Sequence, residues 1–275
     1  MKDKNNKDKF KLVISDIDGT LKCSNQSISE FTKNVVDEIR SMGLLFTLAS
    51  GRNLSGAKDI AEDLKVDLPL VLSNGCILQK VSGEILHRAL MPEIITKRVI
   101  EITDEFDYDL VLFVDDQLFF KTMTANIEPI FGHIPDACHE INEWKNIHNQ
   151  LDAVNKCMIL ERSFHEKLAA LEDIFEKEFS NKADFYRTNI NHLEVMPRGI
   201  SKAVGLQKLI EFLGIQIEEV IAFGDYDNDA ELLAAAGLGI AVENATENVK
   251  SNADLVIGSC SEDAPAKFLR EMFLE

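Results

Sequence analysis

The chain has 275 residues, 45% of them hydrophobic, and a formal net charge of −18 at pH 7. That length admits two domains at roughly 100–200 residues each, and that apolar share supports packed cores rather than disorder. The charge argues against nucleic acid and anionic membrane surfaces as main partners. No run approaches the ~18 apolar residues of a membrane span. The first nine residues, M-K-D-K-N-N-K-D-K, contain no apolar stretch of the signal-peptide kind. A cytoplasmic location is the expectation. The five cysteines (Cys23, Cys76, Cys138, Cys157, Cys260) show no C-x-x-C spacing, which argues against structural zinc and against a secreted disulfide framework.

In chain order, Leu12-Val13-Ile14 has the composition of a buried strand. It runs into Asp16-Ile17-Asp18-Gly19. A helix follows with Phe31, Val35, Ile39 and Met42 on one face, capped by Ser27 or Ser29 and stopped near Gly43. Leu44–Ala49 reads as a second strand ending in Ser50-Gly51-Arg52. A helix over Ser55–Leu64 leads to a third strand at Pro69–Leu72, ending in Ser73-Asn74-Gly75. Strand and helix in alternation predict parallel pairing through right-handed crossovers.

Near Val81 the rhythm changes. A helix over Pro92–Phe106 precedes strands around Asp109–Val114 and Leu118–Lys121, joined at Asp115-Asp116-Gln117, which is antiparallel grammar. A strand at Cys157–Leu160 follows. Phe164, Leu168, Leu171 and Phe175 mark a helix, and strands near Ala183–Thr188 and His192–Met196 close the segment. The parallel grammar then resumes. Ser201 caps a helix carrying Leu206, Leu209, Ile210 and Leu213. Glu219–Phe223 is a strand ending in Gly224-Asp225, a helix spans Asp229–Ala236, and short strands follow at Gly237–Val242 and Asp254–Ile257. The fold class is therefore α/β, a Rossmann-like parallel-sheet core with an inserted α+β domain. The boundaries read as a polar tail at 1–9, a core at 10–82 and 194–275, and an insertion at 83–193.

Chemistry gathers at the ends of these elements: Asp16 and Asp18, Ser50, Lys202, and Asp225 with Asp229. Each lies where a parallel unit opens toward the carboxyl edge of a sheet, so they can meet in one cleft. Asp-Gly also closes hairpins, a lone Ser50 reads equally as a helix cap, and a lone Lys202 has the alternative of a solvated surface lysine. Together they make a set. Several carboxylates in one place repel unless a cation holds them, and an all-oxygen donor set favours Mg²⁺ over Ca²⁺. Lys202 stands in the first turn of its helix, where the dipole disfavours a cation by a few tenths to ~1 kcal/mol; a bound anion reverses that sign. Glycines 51, 75 and 224 serve turns or let backbone N–H groups approach an anion.

The ordered set D-I-D-G-T-L at 16–21, S-G-R at 50–52, N-G at 74–75, G-I-S-K at 199–202 and G-D-Y-D-N-D at 224–229 resembles the haloacid dehalogenase-like hydrolases, and most closely the Cof-type sugar-phosphate phosphatases with a large α/β cap. The resemblance implies a Mg²⁺-dependent phosphatase acting on small phosphorylated metabolites, with no nucleic-acid or membrane partner, as a monomer or weak homodimer. It implies Asp16 as nucleophile and Asp18 as general acid and base. Mg²⁺ would be held by Asp16, the main-chain carbonyl of Asp18, and Asp225, with Asp229 in or just beyond its coordination sphere. Ser50 and Lys202 would hold the phosphoryl oxygens. Gly51, Arg52, Asn74 and Gly75 would line the substrate, and Asn228 would orient Lys202 or touch substrate. Tyr226 departs from the small or amide residue the family more often has there. A phosphomutase of the same superfamily, or a non-catalytic sensor of phosphometabolites, are the alternative expectations. Arg187, Asn189, His192 and Arg198 are the insertion's candidates for specificity, though each reads first as a solvated surface residue.

Overall fold

The computed structural model describes residues 7–23, 27–161, 166–189 and 191–275. Residues 1–6 of the predicted polar tail and Phe164 of the predicted helix face lie outside them. The chain divides into two compact units: Met1–Gly51, Ala57–His87 and Ser201–Glu275 form the first, Arg52–Gly56 and Arg88–Ile200 the second.

The first unit is built on five parallel strands. In spatial order they are Leu255–Val256, Leu238–Ala241, Val220–Gly224, Leu12–Ser15 and Leu45–Leu48. The opening strand lies between its two neighbours, with Ser15 level with Phe223 on one side and Leu48 on the other. That register decides where chemistry emerges. Asp16 N–H donates to the Phe223 carbonyl at 3.0 Å and Ala49 N–H to the Ser15 carbonyl at 2.9 Å, so Asp16, Asp225 and Ser50 leave the sheet side by side. Leu12, Ile14, Val220 and Ala222 pack with Leu206, Leu209 and Ile210 of the helix Lys202–Leu213 and with Leu232 and Leu233. Leu12–Ser15 is buried along its whole length, as expected of a strand covered on both faces.

The third predicted strand departs from its reading. Leu70–Leu72 meets the parallel sheet only through an isolated Ala49–Val71 bridge, and pairs instead with Ile77–Gln79 in a separate sheet continued by Ile85–Arg88. The reason is local: Ser73, Asn74 and Gly75 reverse the chain immediately after Leu72. Two helices of this unit also escaped the sequence reading, Glu247–Asn252 and Ala264–Phe273. So did one covalent bond. Cys23 and Cys260, 237 residues apart in sequence, form a disulfide with their Cα atoms 5.7 Å apart, although the cysteine spacing argued against a disulfide framework. Only the folded chain brings them together.

The second unit carries a six-stranded sheet whose pairings are antiparallel except that between Gln117–Phe120 and Cys138–Glu140. Leu110, Leu112, Cys157, Ile159, Leu193 and Val195 from one sheet face pack against Val99 of the helix Glu93–Glu105 and against Leu168, Leu171 and Phe175 of Glu166–Phe179. The strand His192–Pro197 belongs to this sheet, so the boundary read at 193 falls inside it. The Asp115-Asp116 turn does more than close a hairpin. The Asp116 carboxylate accepts from Ser55 N–H and Ser55 Oγ, each at 2.6 Å, and its carbonyl accepts from Asn53 Nδ2 at 2.9 Å. No helix among the described residues is long and apolar enough to cross a membrane.

Phe175 is fully buried in the second unit's cluster. Phe175→Ala should lower stability by about 3–5 kcal/mol, from lost transfer energy and the cavity left behind. Denaturant unfolding measures this, and an unchanged midpoint would contradict the packing described.

Candidate active site

Lys202 is the last side chain one would bury alone, and it is 1% exposed. Its Nζ donates to Asp16 Oδ1 at 2.5 Å and to Asp229 Oδ1 at 2.6 Å. Burial works against the ammonium, but the two carboxylates outweigh it and raise its pKa above the ordinary lysine value. The other oxygen of Asp229 accepts two backbone N–H groups, from Asp225 at 3.0 Å and Tyr226 at 3.1 Å. Asp229 thus fixes the lysine with one oxygen and the turn at 225–226 with the other.

Asp225 comes from the end of the neighbouring strand, where Thr20 Oγ1 donates to its Oδ1 at 2.7 Å. One oxygen each of Asp16, Asp225 and Asp229 lie within 4.8 Å of one another. Three carboxylates therefore share a buried space with one ammonium. Burial drives the Asp16 pKa well above its usual range; Lys202 opposes this, and Asp229 and Asp225 add to it. Asp225 is pushed up to about 7, chiefly by burial and by Asp229. Such a centre is short of positive charge, and its oxygen-only donors suit a hard divalent cation. The Asp18 carboxylate is not in this group: Asp18 is exposed, on the loop beyond Asp16.

The backbone around the acids is shaped by close approach. At Gly19 (φ +86°) a Cβ would stand 2.2 Å from Asp225 Oδ2, so only glycine lets the loop rest on that carboxylate. Ser73, Asn74 and Gly75 follow one another with φ of +49°, +55° and +96°, and a Cβ at Gly75 would lie 2.0 Å from the Ser201 carbonyl. A left-handed serine or asparagine costs roughly 1–2 kcal/mol each. Strain of this kind gathers where function over-determines the backbone. The turn is stitched in place: Ser50 N–H donates to the Val71 carbonyl, Asn74 N–H to the Ser50 carbonyl, and Asn228 Nδ2 to Asn74 Oδ1 at 2.9 Å. The hydroxyls of Ser73 and Ser201 are buried here without a partner among the described residues, two donors suited to an anion.

The structure therefore gathers Asp16, Asp225, Asp229 and Lys202 in one place, and links the adjoining turn that holds Asn74 and Gly75 to Ser50 and Asn228 by hydrogen bonds and to Gly51 by close approach, a Cβ at Gly51 coming 3.1 Å from Asn74 Oδ1. Asn228 contacts Asn74 rather than Lys202. The Arg52 guanidinium is directed along its own segment, donating from Nη1 to the Gly56 carbonyl at 2.6 Å. Tyr226 is 36% exposed, and its N–H rather than its ring holds Asp229. Among the insertion's candidates, Arg187 pairs with Glu172 and Arg198 with Asp184, and the Asn189 side chain lies outside the described residues. Two residues escaped sequence reasoning. Thr20 stood inside the first motif without an assigned role, whereas nothing near Asn244 signalled that its Nδ2 would donate to the Gly19 carbonyl at 2.8 Å.

A family model for haloacid dehalogenase-like hydrolases matches residues 13–269. The chain belongs to that family. It is 28% identical over 264 residues to an HMP-PP phosphatase of Yersinia pseudotuberculosis, covering 94% of each chain. Among solved structures it resembles a haloacid dehalogenase-like hydrolase from Bacteroides thetaiotaomicron with a TM-score of 0.85 and 27% identity, covering 96% of this chain and 100% of that one. It shares the fold of a subclass IIB sugar phosphatase of the same superfamily, with a TM-score of 0.82 at 20% identity over 96% of this chain and 100% of the other.

Lys202→Met leaves Asp16 and Asp229 buried without their cation. Removing one partner of a buried ion pair costs about 3–5 kcal/mol, so denaturant unfolding of the metal-free variant should show a loss of that order. A variant as stable as the parent would contradict the ion-pair geometry.

Proposed function

We propose that the chain is a Mg²⁺-dependent phosphatase that hydrolyses small phosphorylated metabolites, sugar phosphates or related phosphomonoesters, through a phosphorylated Asp16. The observation that carries this reading is the buried Asp16–Lys202–Asp229 arrangement beside Asp225. A carboxylate held by an ammonium at the end of a parallel strand is a nucleophile kept in one orientation. The relatives named HMP-PP phosphatase and sugar phosphatase support a phosphorylated small molecule as substrate.

In this reading Lys202 holds Asp16 by Oδ1, leaving Oδ2 to attack phosphorus. Ser50, the N–H groups of the strained turn and Lys202 take the phosphoryl oxygens as charge shifts onto them. Asp18, exposed on the following loop, gives its proton to the departing oxygen. It then removes a proton from the water that attacks phosphorus, which releases phosphate and restores the Asp16 carboxylate. Asp229 keeps Lys202 in place, its oxygens being taken by that lysine and two backbone N–H groups. Asn228 secures Asn74. Asp16, Asp225 and the Asp18 carbonyl would hold Mg²⁺, which when bound offsets the negative charge of the incoming phosphate. The first unit carries this chemistry.

Phosphate release from a panel of sugar phosphates, nucleotides, HMP-PP and an artificial aryl phosphate tests the reading. Release should require Mg²⁺, stop in EDTA and be lost in Asp16→Asn, while that variant keeps its fold by circular dichroism. Full activity in EDTA would refute the metal role, and normal activity in Asp16→Asn would refute the nucleophile. Silence across the panel from a folded, Mg²⁺-binding protein would refute the hydrolytic reading.

A further inference from the structure

The loop after Asp16 closes on itself, with Lys22 N–H donating to the Ile17 carbonyl at 2.9 Å and Gly19 N–H to the Lys22 carbonyl at 2.8 Å. Asn244 holds its outer side. Asn244 Nδ2 donates to the Gly19 carbonyl at 2.8 Å, and Asn244 Oδ1 accepts from Cys260 N–H at 3.0 Å. Cys260 is bonded in turn to Cys23, the residue immediately after Lys22. The circuit thus runs from Cys23 through the disulfide to Cys260, then by hydrogen bonds through Asn244 to Gly19, which rests on Asp225. No other disulfide occurs among the described residues, and Cys76, Cys138 and Cys157 lie outside this one.

We propose that Cys23 and Cys260 form a reversible modification site for low-molecular-weight thiols and disulfides, whose oxidised state holds the Asp16–Lys22 loop in the geometry of the acidic centre. Cys260 is 9% exposed and Cys23 is half-buried, so Cys23 is the reachable side. A small-molecule thiolate attacks the Cys23 sulfur; the S–S bond breaks and Cys260 leaves as a thiolate that takes up a proton. A second small thiolate attacks the small-molecule sulfur of the mixed disulfide and releases Cys23, which is protonated in turn. Two electrons enter the protein, and two small thiols become one small disulfide. The reverse exchange, with a small disulfide as oxidant, restores the bond. Oxidation closes a long covalent loop and so constrains the unfolded chain. In the folded chain it fixes the end of the segment that places Gly19 against Asp225.

The activity arm of this inference rests on the phosphatase reading; the thiol and stability arms do not. The test uses the full chain, equilibrated with oxidised glutathione or with dithiothreitol. Thiols counted after denaturation should number three in the oxidised form and five in the reduced form, from the three cysteines outside the disulfide and the bonded pair. Reduction should lower the melting midpoint by several degrees, and raise several-fold the Mg²⁺ concentration that half-saturates binding in calorimetry and phosphate release from an aryl phosphate. The double variant Cys23→Ser/Cys260→Ser should match the reduced form and ignore dithiothreitol, and Cys138→Ser should keep the parent's response. Five thiols after treatment with oxidised glutathione would overturn the site. An unchanged melting midpoint and Mg²⁺ affinity on reduction would overturn its hold on the loop. If neither form releases phosphate, the phosphatase reading fails, and thiol count, melting and calorimetry still decide the redox site.

Discussion

The ammonium of Lys202, 1% exposed between Asp16 and Asp229, is the condition under which three aspartates can occupy one buried place. Without it, desolvation and mutual repulsion would fall on the carboxylates alone, of which Asp16 and Asp225 already carry raised pKa values. With it, the centre still holds more negative than positive charge, which is what prepares it for a divalent cation. The same lysine explains its awkward position in the first turn of a helix. The helix dipole opposes a cation there, but two carboxylates compensate, and the site remains attractive to an anion.

Around this ion pair the backbone is arranged at a cost in strain. Three successive left-handed residues, Ser73 to Gly75, turn the chain so that it lies against Ser201 and Ser50. Asn228, from the same short turn that supplies Asp225 and Asp229, fixes Asn74. The acidic loop and the strained turn are thus joined by a side-chain bond within one unit, so displacement of either is felt by the other. A rigid parallel sheet makes this practicable: the register that sets Ser15 beside both Phe223 and Leu48 fixes where Asp16, Asp225 and Ser50 begin.

Much of this was legible in the residues. Alternating strands and helices predicted the parallel core, and carboxylates at strand ends predicted the acidic centre with Lys202. What stayed hidden depends on contacts between distant segments. The third strand reads as a member of the parallel sheet because its composition is the same; its withdrawal follows from left-handed backbone at Ser73 and Asn74, which no periodicity records. Asn244 is an ordinary polar residue until the fold sets it between Gly19 and Cys260. The Cys23–Cys260 bond spans 237 residues without a spacing signature. The resemblance implies Lys202 or substrate as the partner of Asn228; that its amide donates to Asn74 appears only in the fold.

The central claim is that Asp16 carries the phosphoryl group. Acid quenching of the protein during turnover of an aryl phosphate, followed by peptide mass spectrometry, tests it most directly. The account predicts a phosphoryl group on the peptide containing Asp16, appearing within the first turnover and decaying as phosphate is released. A phosphoryl group on another residue, or none at any time while phosphate accumulates, would contradict it.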